Sequence, residues 1–137
     1  MIAAVCTWHE HHRAAAREIE DRLERGGRLV VPAPAVVECY AVLTRLPPPH
    51  RLATGDAWVL LDANFVRRRS IVALAGATYA QLVRQLAREA IGGGRTYDAV
   101  IAECARQGKA SVLLTFNVRH FEPAPAGLSI VEPALQR

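Results

Sequence analysis

Residues 92 to 121, GGGRTYDAVIAECARQGKASVLLTFNVRHF, compress a chain break, a helix, a strand and a polar loop into one stretch, and they restrict the fold more than any other part of the chain. Gly92, Gly93 and Gly94 interrupt what precedes them. Thr96 is a suitable N-cap, and Ala99, Val100, Ala102 and Ala105 recur at helical spacing until Gly108, so a helix of about three turns is predicted. Asp98 falls in its first turn, where unpaired N–H groups and the positive end of the dipole favour an ionised carboxylate. Ser111 to Thr115 then reads as a short strand buried on both faces, with Asn117 just beyond its end. In an open parallel sheet that rim is where ligands bind.

The remaining chain repeats the alternation. Trp8 to Arg25 is predicted helical, with His11, Ala15, Ile19 and Leu23 on one face and Gly26-Gly27 as the stop. His9, His11 and His12 do not match the H-E-x-x-H metal pattern and read as a solvated helix start. Leu29 to Val31 is a strand that Pro32 terminates, and Pro34 opens the next helix, in which Glu38 is the one carboxylate before Pro47-Pro48-Pro49. Thr54 is expected to cap a helix running to Phe65, on which Asp56 and Asp62 face water. The basic run Arg67-Arg68-Arg69 follows, as either a solvated helix end or an RNA contact. Ser70 to Leu74 is a third strand. Thr78 to Ala90 is a helix with Tyr79, Leu82, Val83 and Leu86 inward, and Leu128 to Val131 is a last strand. Strands alternating with helices imply an α/β fold with a parallel sheet.

The 137 residues, 51% of them hydrophobic, suit one globular domain, and the mean hydropathy of +0.09 argues against disorder. Net charge +4 is compatible with a polyanionic partner. Cys6, Cys39 and Cys104 are odd in number and lie in apolar surroundings, which suggests neither a disulfide framework nor a zinc site and fits a cytoplasmic compartment. No apolar run approaches the ~18 residues needed to span a bilayer. A phosphoacceptor domain would want an Asp ending a central strand, and no predicted strand has one.

Taken together, VVPAPAVVE, LTRLP, GGGRTYDAVIAECA and LLTFNVRHF resemble the PIN-domain ribonucleases, specifically the VapC toxins of toxin–antitoxin pairs, over nearly the whole chain. The resemblance implies one domain over residues 1–137: a PIN-like parallel sheet flanked by helices on both faces, with acids at the carboxyl ends of its strands holding Mg²⁺ or Mn²⁺ to cut RNA. Carried across, the family's acids fall on Glu38 and Asp98 and its later polar position on Asn117, which makes these three the catalytic and metal-binding candidates. Thr115 stands where the family often has a supporting hydroxyl. Arg119, His120 and Arg45 are candidates for RNA contact. A homodimer and a VapB-type antitoxin, whose C-terminal segment lies across the groove, are implied as partners.

The chain departs from the family at its front. Members usually open with a central strand ending in an aspartate, ahead of the helix that begins here at MIAAV. The expectation is a start inside a longer natural protein; the alternative is a catalytically silent PIN-like module that still binds an antitoxin or a dimer partner. With two carboxylates and one amide, metal affinity and activity are expected to be low. The place between Leu29–Val31 and Val112–Thr115 is expected to close by direct pairing into a four-stranded sheet, or by Met1–Val5 acting as a substitute strand, and stability is expected to be marginal.

Overall fold

The structure, a computed structural model, describes residues 1–67 and 69–135. Arg68, the middle of the basic run, lies outside the described residues. The chain forms two compact units. The first comprises Met1–Val31, Ala35–Ile71 and the residues from Pro133, and the second comprises Pro32–Pro34 and Val72–Glu132.

The first unit opens with helix α1 (Ile2–Val5), followed by a turn and helix α2 (His12–Glu24). Met1–Val5 is therefore no substitute strand: Cys6 N donates to Ile2 O at 3.0 Å, closing a helical turn in a stretch containing two good helix formers, Ala3 and Ala4. The predicted helix from Trp8 is also shortened. His9 N donates to Cys6 O and His12 N to His9 O, each at 2.9 Å, so His9 belongs to the turn and α2 starts only at His12. At its far end Gly26 N donates to Leu23 O and Gly27 N to Arg22 O, with Gly26 at φ +84°, which satisfies two terminal carbonyls in a Schellman closure.

Strand β1 (Val30–Pro32) runs directly into α3 (Ala33–Arg45), whose Cys39 and Leu43 are buried. Helix α4 (Thr54–Leu61) begins one residue after its N-cap, Ala53; Thr54 is inside the helix and does not cap it. The last five residues of the segment, Asp62–Val66, form a π-helical turn. Asp62 is not simply solvated, since Arg67 Nη2 donates to its Oδ2 at 2.7 Å. Cys6, Val31, Cys39, Leu43, Ala57, Leu61 and Phe65 form the core of this unit, with Met1, Ile2, Ala4 and Val5 packed against it.

Strand β2 (Ser70–Val72) pairs with β1. In the second unit, α5 (Gly76–Arg88) turns Leu82 and Leu86 inward but leaves Tyr79 and Val83 exposed, against expectation. Helix α6 (Arg95–Gln107) has Gly94 at its N-cap, so Thr96 lies within the first turn and does not cap it; the helix ends at Gly108 as expected. Strands β3 (Val112–Leu114) and β4 (Ser129–Val131) pair in parallel, with Val112 opposite Ser129 and Leu114 opposite Val131. Ala102, Ala105, Leu113 and Leu128 form one core cluster, and Leu74, Val100 and Cys104 another. Among the described residues, strand pairing occurs as two two-stranded sheets, β1 with β2 and β3 with β4, and not as one four-stranded sheet with β1 directly on β3.

Candidate active site

Asp98 stands in the first turn of α6, where the helix dipole stabilises its charge, with its side chain 23% exposed. A carboxylate in that position is partly desolvated yet open to a ligand. After β3 the chain turns sharply at Thr115, whose Oγ1 accepts the Asn117 amide at 3.0 Å. This hydroxyl-closed turn fixes the exit from the strand and leaves Asn117 exposed. A single 3₁₀ turn, Val118–Phe121, follows, and His120 N donates to Asn117 O at 3.0 Å.

That short turn carries His120 back to helix α6. Its Nδ1 lies 3.4 Å from Asp98 Oδ2, an ion pair whenever the imidazole is protonated. Arg95, the first residue of α6, donates through Nη2 to Glu122 O just past the turn. The start of α6 and the segment after β3 are thereby joined at two points. Asp98, Thr115, Asn117 and His120 belong to this one assembly, and Arg119 is exposed on the same turn. The contact of His120 with Asp98 was not foreseen; a strand separates the two residues, and nothing in the local pattern links them.

Glu38 and Arg45 belong to the other unit. Both are on α3 and both are exposed, Arg45 in the last turn, where a cation suits the dipole. Among the described residues, no three His, Cys, Asp or Glu side chains gather as a metal-holding group. The donors at the α6 assembly are a part-exposed carboxylate and an exposed amide. Hard oxygen donors of this sparse kind fit a divalent ion that retains several of its waters, whereas the three thiols, which would suit softer metals, are buried.

The PIN domain family matches residues 1–124, and the chain belongs to that family. Within it the chain is similar to Ribonuclease VapC40 of Mycobacterium tuberculosis, with 40% identity over 122 residues, covering 89% of this chain and 84% of that protein. It is also similar to Ribonuclease VapC27 of the same organism, with 36% identity over 110 residues, covering 80% of this chain and 67% of that one. The fold agrees with that of the DNA-bound VapBC crystal structure from Salmonella typhimurium, at TM-score 0.66 and 22% identity, covering 97% of this chain and 92% of that chain. VapBC2 from Rickettsia felis, bound to a promoter DNA fragment, matches equally at TM-score 0.66 and 19% identity, over 96% and 91% of the two chains.

Proposed function

We propose that residues 1–137 act as a single PIN-type domain, a metal-dependent endoribonuclease of the VapC toxin type working in the cytoplasm with Mg²⁺ or Mn²⁺. The observation that carries this reading is the Asp98 assembly at the start of α6, in a chain whose relatives are VapC ribonucleases. Asp98 would hold the ion, with Asn117 as a neutral oxygen donor; Glu38, on α3 of the first unit, remains the other carboxylate candidate. When bound, the ion supplies Lewis-acid polarisation of a phosphoryl oxygen and a water of lowered pKa. Asp98 would anchor the positive charge, and the Thr115 hydroxyl keeps the Asn117 backbone in place. His120 restrains the Asp98 carboxylate through its Nδ1. Arg119 and Arg45, both exposed, offer guanidinium groups to substrate phosphates. A VapB-type antitoxin and a second copy of the chain are the proposed protein partners.

The test is cleavage of single-stranded and structured RNA across a Mg²⁺ and Mn²⁺ titration. Weak ion-dependent cutting is expected, with Asp98→Asn reducing it by at least ~100-fold, a loss of about 2.7 kcal/mol of transition-state stabilisation. Cutting that survives Asp98→Asn at the parent rate, or that persists in excess chelator, would remove the reading.

A further inference from the structure

The first unit carries a surface feature outside the Asp98 assembly and outside both core-facing helix stripes. Trp8, on the turn between α1 and α2, stacks on the imidazole of His50, with ring centroids 4.1 Å apart and planes 27° from parallel. His9 sits tilted against the same indole at 5.9 Å, and its Nδ1 accepts the His11 amide at 3.1 Å. Both segments are tied down by their own backbones. The Trp8 turn is held by the paired bonds around His9, and the His50 loop by His50 N to Pro47 O and Leu52 N to Leu43 O, each 3.0 Å. Arg51 Nε donates to Leu46 O at 2.8 Å, which fixes a cation across the loop one residue after the stack. Trp8 nevertheless remains 45% exposed.

An indole packed against one imidazole has already lost much of its rotamer freedom, so a ligand that stacks on it need not bear that cost. The exposed neighbours on its own turn, Thr7 and Glu10, are polar, as is Arg13 at the start of α2, which makes the ring an isolated platform and not part of an apolar groove for a helix. An aromatic surface with a fixed guanidinium one residue along the chain suits single-stranded nucleic acid, base on ring and phosphate on cation. We propose that the Trp8–His50 stack is a second RNA-binding site that receives an unpaired nucleobase of the substrate, with Arg51 facing the adjoining phosphate. The identity of the polymer rests on the ribonuclease reading; the platform itself rests on the ring geometry.

The experiment uses the full chain carrying Asp98→Asn, to stop cutting, and Trp58→Phe, which leaves Trp8 as the only tryptophan. In the presence of chelator it is titrated with end-labelled oligoadenylate and with the same backbone lacking its bases, following anisotropy for binding and tryptophan emission for stacking. Oligoadenylate is expected to quench Trp8 and the abasic strand is not. Trp8→Leu should weaken oligoadenylate binding roughly tenfold, with Trp8→Phe retaining most of the affinity and circular dichroism verifying both folds. Oligoadenylate binding with unchanged Trp8 emission, or equal affinity for the abasic strand, overturns the platform and leaves the ribonuclease reading intact. Emission that responds to an antitoxin but not to oligoadenylate also overturns it. Failure of both strands to bind overturns the platform, while the ribonuclease reading stands or falls by the cleavage titration.

Discussion

At the residue scale, helix ends give the sharpest predictions. The closure that ends α2 on Gly26 recurs after α5, where Ile91 N donates to Leu86 O and Ala90 N to Ala87 O, and after α6, where Ala110 N donates to Ala105 O and Lys109 N to Arg106 O. There the left-handed position is filled by Ala90 at φ 55° and Lys109 at φ 59°, each with a Cβ that disfavours it. Ala90→Gly and Lys109→Gly should therefore each stabilise the chain by about 1 kcal/mol in urea unfolding. At Gly27 the sign reverses, because an added Cβ would lie 2.5 Å from Arg22 O, and Gly27→Ala should be destabilising. Cys39 supplies a pH dependence. Burial pushes its thiol from 9.0 up to about 11. The folded state holds that proton more tightly than the unfolded chain, so its contribution is intact below pH 9 and is lost as pH rises toward 11. The drop should be about 2–3 kcal/mol, and Cys39→Ala should flatten that part of the stability curve.

At the element scale, most segments were legible because Gly and Pro punctuate them: Pro32 ends β1, Gly108 ends α6, and every strand was anticipated to within a couple of residues. What was not legible was which apolar residues a helix turns inward. Tyr79 and Val83 share a helical period with Leu82 and Leu86, but α5 buries only a narrow stripe, and periodicity alone does not say how wide the partner surface is. Phe65 is core at 4% exposure, while Trp58 stays 51% exposed. The consequence is measurable. Leu86→Ala should cost about 2–4 kcal/mol of unfolding free energy, whereas Val83→Ala should stay within about 0.5 kcal/mol. Comparable losses for the two would mean that Val83 is covered in solution. The Asp98–His120 contact was hidden for a different reason, since it depends on the angle at which a 3₁₀ turn returns the chain after β3, and turn angle is set by the Thr115 hydroxyl bond and not by hydrophobic pattern.

For the molecule as a whole, the order of helices and strands was readable, but long-range pairing was not. Among the described residues, two two-stranded sheets stand where one of four strands was expected, because strands of three residues carry too little alternation to specify a partner. The distribution of thiols offers a way to follow the folded chain in time. Cys6 and Cys39 share one core cluster and Cys104 sits in another, and all three are buried and free. An alkylating reagent can modify each only when its surroundings open, so the three act as internal clocks already present in the natural sequence. Cys6 and Cys39 should become reactive at one common rate, since neither can be reached without loosening the cluster they share, and peptide mapping after timed alkylation would measure it. Early modification of Cys6 alone would show that the segment around α1 detaches first. The rate at Cys104 reports independently on the helix that bears Asp98, and its slowing as divalent ion is added would translate ion binding into a change in how often that helix breathes.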